Sequence, residues 1–209
     1  MNQHKKTFYR IQAENIITKM KPRGMEGYYC DTIDEAKKKV LELLGSGAKS
    51  VGYGGSMTID DCGLKNDIIA AGHNLIKREE LPAEEANARN INADFFLMSS
   101  NAITLNGELV NIDKRGNRIC FLIYGPKNVI IIAGMNKIAA NVEDAVRRVR
   151  SEATPPNAIR LNMNTPCSKF GRCVDCLGSD SLCANIVTTR TSCPPGRIKV
   201  ILVGEELGY

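Results

Sequence analysis

The sequence predicts an α/β fold: a mostly parallel sheet with helices on its faces, a β-hairpin added, and a cysteine-rich metal loop set in. Three observations predict it. Strand-length apolar runs alternate with amphipathic helical stretches through the first half of the chain. Asn106-Gly107 stands between two alternating runs, a strong short-range hairpin signal. Four cysteines crowd into TPCSKFGRCVDCLGSDSLC, between a helical stretch and a closing apolar strand. At 209 residues the simplest organisation is one domain over 1–209. Within it, 165–193 is an inserted cysteine-rich loop and 198–209 a final core strand and tail.

The elements follow in order. Phe8, Ile11, Ile16, Ile17 and Met20 fall at roughly helical spacing, and Pro22 with Gly24 ends that helix. GYYC reads as an edge strand. DTIDEAKKKVLELLGSG has Asp31 or Thr32 as N-cap, an apolar face of Ala36, Val40, Leu43 and Leu44, and a glycine stop. KSVGYGGS is a strand entering a glycine turn. A helix over about Thr58 to Ala71, the strand HNLIK, a helix opened by Pro82 and the buried strand ADFFLMSS come next. NAITLNGELVNID is the hairpin. GNRICFLIYGPKNVIIIAG reads as two strands joined by Gly125-Pro126. NVEDAVRRVRSEA is an amphipathic helix, and RIKVILVG a last strand. Pro155-Pro156 and Pro194-Pro195 flank the cysteine module.

Composition excludes several classes. Hydrophobic residues make up 43%, enough for a sizeable core without disulfides. The net charge of +5 comes from lysines and arginines dispersed along the chain, so no nucleic-acid footprint is expected. The first twenty residues lack an apolar core of signal-peptide length, and no run approaches a membrane span. The expectation is a cytoplasmic protein, in a reducing compartment where cysteines are more often ligands or core residues than disulfides. His4 and His73 are the only histidines, which argues against a Ser–His–Asp hydrolase.

The cysteines come first among the sites. Cys167, Cys173, Cys176 and Cys183 are spaced C-x5-C-x2-C-x6-C, with Cys193 ten residues on. Thiolates bind soft or borderline metals, and a CxxC turn brings two of them to one centre. The loop has too little apolar content to hold itself together. Structural zinc usually shows two close ligand pairs, whereas one pair plus two solitary cysteines suits a 4Fe–4S cluster better. Zinc stays open as the alternative. Cys193 is either a bystander or an alternative ligand, and Cys30, Cys62 and Cys120 read as small buried hydrophobes.

Three other regions carry polar chemistry. VGYGGSMT offers Gly54, Gly55, Ser56 and Thr58 at a strand-to-helix turn, where free backbone N–H groups suit an anion. An ordinary N-cap explains Ser56 or Thr58 equally well. The run from Ser99 to Arg118 holds Asn101, Thr104 and Arg118 as candidate ligand residues, with Glu108 and Asp113 as acid/base candidates. Turn chemistry accounts for its glycines. Asn136 and Lys137 follow a buried strand at its carboxyl end and could meet an anionic group; Lys127 is a further binding candidate.

Read together, NAITLNGELVNIDKRGNR, YGPKNVIIIAGMNKI, TPCSKFGRCVDC and RIKVILVGEELGY resemble the LUD-domain (lactate utilisation) family, in particular its short members with a C-terminal cysteine cluster. The resemblance implies a fold similar to ribose-phosphate isomerases and CoA transferases. It also implies a part in oxidising lactate-like organic acids, with a small anionic organic molecule as ligand and redox partner subunits. The ferredoxin-type cysteine runs of the family's large iron–sulfur subunit are missing here. A zinc-stabilised binding protein for a nucleotide, CoA or folate-like ligand, and an iron–sulfur hydro-lyase, are rival readings. A homo-oligomer is compatible with all three.

Overall fold

The computed structural model describes all 209 residues. Helix α1 (Gln3–Met20) is capped by Asn2, whose side chain accepts from the Lys5 amide. Strand β1 (Glu26–Cys30) follows, then α2 (Ile33–Leu44) with Thr32 as its N-cap. β2 (Ser50–Tyr53) runs into the glycine turn and the short helix α3 (Met57–Asp61). Next come α4 (Leu64–Ala70), β3 (Asn74–Leu75), α5 (Ala83–Ile91) and β4 (Phe95–Met98). β5 (Ala102–Thr104) and β6 (Leu109–Asp113) form the hairpin. α6 (Asn117–Ile123), β7 (Asn128–Gly134), β8 (Ile138–Ala139), α7 (Val142–Arg148), α8 (Thr154–Arg160), α9 (Pro166–Phe170), β9 (Asn185–Thr189) and β10 (Ile198–Val203) complete the chain.

Six strands make one parallel sheet in the order β1-β10-β7-β4-β2-β3, so β1 is an edge strand and the closing strand β10 lies inside. The alternation of β7 explains the three layers. Val129, Ile131 and Ala133 pack on one face with Ala13, Ile16 and Met20 of α1. Ile130 and Ile132 pack on the other with Val40, Leu44, Ile59 and Ile68 of α2 to α4. Strands buried on both faces need unbroken apolar runs, which is what NVIIIAG supplies. The hairpin belongs to a second sheet, β8-β5-β6-β9, whose Ala102, Val110 and Ile112 pack on Ala145 and Val149.

Four expectations need correction. RICFLIY is a helix, α6, not a strand. Gly116 opens it at φ +82°, and Asp113 Oδ1 accepts from the Gly116 amide. The helix expected over Thr58 to Ala71 is two pieces, broken at Gly63, whose φ is +71°. Pro155-Pro156 flanks nothing: it lies in the first turn of α8, where prolines are tolerated. Their missing N–H groups leave carbonyls of the preceding turn without i−4 partners, and Val149–Ala153 opens into a π turn. Finally, 165–193 is not all loop, since β9 pairs with β6 along its full length.

Candidate functional site

The carboxyl ends of three neighbouring strands meet at one place. β2 ends at Tyr53 before Gly54-Gly55-Ser56, β4 ends at Met98 before Ser99, and β7 ends at Gly134 before Lys137. This is where open α/β sheets place ligands. A cavity of about 750 Å³ opens there, lined by Gly54, Gly55, Ser56, Thr58, Asn101, Asp113, Arg118 and Lys137 among the residues expected from sequence.

Lys137 forms part of the floor. It is 4% exposed, and its Nζ donates to Thr58 Oγ1 and Ser99 Oγ, each at 2.9 Å. No carboxylate pairs with it. Burial, with the nearby charges of Arg148 and Arg118, pushes its pKa down to about 7. The shift favours the neutral amine far more than an ordinary lysine's environment does.

Arg118 is held differently. Its Nε donates to Asp113 Oδ2 at 3.2 Å, and one Nη reaches Asn101 Oδ1 and the Ile112 carbonyl at 2.9 and 2.8 Å. The other Nη sits 3.5 Å from the Ser99 carbonyl. With its donors committed to the protein, Arg118 fixes the loop after β4 and contributes field rather than a free contact. Its stem also explains a glycine: a Cβ on Gly54 would come within 3.1 Å of Arg118 Cγ and Cδ. At Gly52 a Cβ would stand 2.1 Å from Oδ1 of the buried Asn90. Ser56 takes the N-cap position of α3 with extended backbone, yet its hydroxyl makes no capping bond.

Charge is the cavity's most distinctive property. Six cationic side chains line it, Arg78, Lys114, Arg115, Arg118, Lys137 and Arg160, against one acidic side chain, Asp113. Lys114 and Arg115 make no side-chain hydrogen bond or ion pair; Arg78 only approaches Glu79 at 3.8 Å. The sequence spreads these cations over more than eighty positions, and the fold collects them. Sequence reasoning misses Ser99, Arg78, Lys114, Arg115 and Arg160 as site residues. The available signal was the step from the buried run FFLM to two serines at a strand's carboxyl end.

Several expected residues lie elsewhere. Thr104 is fully buried and donates to Glu108 at 2.6 Å; Glu108 in turn pairs with Arg23 at 3.0 Å. That pair ties the hairpin to the end of α1, away from the cavity. Asn136 accepts from the Leu207 amide and holds the C-terminal segment. Lys127 is 80% exposed at the opposite end of β7, 3.8 Å from Asp94.

Cys167, Cys173, Cys176 and Cys183 line one small cavity of about 20 Å³, together with Arg150, Thr154 and Leu182. Thr165 Oγ1 lies 3.2 Å from Cys167 Sγ. Arg150 Nε is buried here without a partner, while an Nη of the same group pairs with Asp175. Thiolates or cluster sulfides would supply the missing acceptor, so the donor set fits a thiophilic centre. No three ligating side chains are yet close enough to hold an ion between them. The volume is too small for a cubane, which requires the exposed loop to open. Cys193 is exposed and outside this cavity, and Cys120 is exposed on α6 rather than buried. Thr154 and Leu182 line both cavities, so one wall separates the cysteines from the cationic cavity.

Residues 13–203 match the LUD domain. The chain belongs to the LUD-domain family. A solved structure, a duf162 family protein from Deinococcus radiodurans, aligns with this LUD-domain chain at TM-score 0.52 and 17% sequence identity. The alignment covers 95% of this chain and 98% of that one, and it bears on the fold alone. Nothing among curated proteins matches. No helix of the LUD-domain chain is long and apolar enough to cross a membrane.

Proposed function

We propose that this LUD-domain protein binds a small organic anion, a lactate-like hydroxy acid or its oxo counterpart, and takes part in its oxidation. The observation that carries the reading is a buried lysine without a side-chain counter-ion in a cavity lined by six cationic side chains and one acidic one. A carboxylate would be held by Arg78, Lys114 and Arg115, the cations with donors to spare. The adjacent C2 oxygen would face Lys137, whose pKa of about 7 suits proton transfer far better than an ordinary lysine's. Lys137, rather than Glu108 or Asp113, is then the proton acceptor. Glu108 is outside the cavity and Asp113 is engaged with Arg118.

Oxidation of a hydroxy acid also releases two electrons. Cys167, Cys173, Cys176 and Cys183 would hold a 4Fe–4S cluster beside the cavity, which would pass the two electrons one at a time to a redox partner subunit, the two-electron oxidant of the reaction. Thr154 and Leu182 stand between ligand and cysteines. The test is anaerobic purification with iron, zinc and sulfide analysis, followed by visible spectra with and without L-lactate. Iron with equimolar sulfide, and a spectrum that responds to lactate, is expected. A colourless protein with one zinc per chain overturns the redox part and leaves a zinc-stabilised binding protein.

A further inference from the structure

We propose that Lys137 condenses with the carbonyl of a small 2-oxo acid, forming an imine at the floor of the cationic cavity. The inference rests on the anion-binding reading above and adds a covalent step to it. Geometry carries it. Lys137 lines the cavity, and its Nζ is fixed at 2.9 Å by two hydroxyls and touches no carboxylate that would keep it protonated. The two cations that act on it, Arg118 and Arg148, are anchored by carbonyl and amide oxygens and by one carboxylate each, Asp113 and Glu152, and cannot swing away. A desolvated lysine beside fixed positive charge is the usual arrangement for an amine that attacks carbonyls. Burial and those charges depress its pKa to about 7, in keeping with this.

The step balances without a redox reagent. The neutral amine adds to C2 of the oxo acid, giving a carbinolamine. A C–N bond forms, and the carbonyl oxygen leaves as water after taking two protons. Both are amine protons when the neutral imine is the product; when the iminium is the product, one is an amine proton and the other comes from solvent. Ser99 Oγ, 2.9 Å from Nζ, is placed to relay a proton during the addition. The carboxylate stays on the Arg78, Lys114 and Arg115 side of the cavity.

The test uses the full chain with pyruvate as the simplest 2-oxo acid and sodium cyanoborohydride as trap, read by peptide mass mapping. One reduced adduct per chain on Lys137, forming faster as pH rises from about 6 to 8, is expected. L-lactate, which has no carbonyl, should give none and should slow the pyruvate adduct. Lys137→Met should lose the adduct while keeping the wild-type circular dichroism spectrum. Adducts spread evenly over surface lysines, or none at all, overturn the proposal. A parallel calorimetric titration separates the two readings. Pyruvate that binds without leaving a reducible adduct removes the imine alone, whereas failure of both acids to bind removes the anion site as well.

Discussion

Burying the Lys137 ammonium carries a cost to stability that pH reveals. In the unfolded chain its ammonium titrates near 10.5, and in the folded protein near 7. Below about pH 7 both states hold the proton, and folding bears the full cost of burying the charge. Between those values only the unfolded chain holds it, which disfavours the folded state progressively less as pH climbs. Stability attributable to this residue therefore rises with pH from about 7 to 10. Lys137→Met removes the buried charge. Below pH 7 the variant should be more stable than wild type by ~2–4 kcal/mol, with the margin shrinking towards pH 10. Urea unfolding across that range reads it, and a margin that does not change with pH contradicts the assignment.

At the scale of elements, α6 shows where sequence reading stops. An uninterrupted run such as VIIIA is legible as a strand buried on both faces. RICFLIY is equally apolar and equally short, and such a run fits a strand or a buried helix turn alike. Its fate is decided from outside. Arg197, buried and 75 positions beyond Leu122, donates to the carbonyls of Phe121, Leu122 and Pro126 at 2.8, 2.5 and 2.9 Å. It closes the last turn of α6 and the loop into β7, and no local pattern announces it. Arg197→Met leaves three buried carbonyls without donors and should destabilise the fold by ~2–4 kcal/mol. Chemical denaturation would show it, with Arg197→Lys recovering part of the loss; a neutral Arg197→Met would mean the helix holds itself.

For the whole molecule, the placement of the site was legible and its charge was not. Gly54 to Thr58, Asn101 and Lys137 could be read because each follows an apolar run, and parallel strands bring such ends to one edge of the sheet. Glu108, Thr104, Asn136 and Lys127 have the same residue chemistry, but the hairpin, the C-terminal segment and the far end of β7 carry them elsewhere. Arg78, Lys114, Arg115 and Arg160 look like dispersed surface charge until the fold gathers them. The four cysteines line one small cavity, although no three ligating side chains stand close enough to hold an ion, and that cavity shares a wall with the cationic one. The account's central claim is that this cationic cavity takes a small organic acid. Calorimetric titration of L-lactate into the wild type and into a Lys114→Gln, Arg115→Gln double variant tests it most directly, because neither residue has an intramolecular partner to lose. One site per chain is predicted, with affinity falling about tenfold or more in the double variant and weakening as salt is raised. The absence of binding, or equal affinity in both proteins, would contradict it.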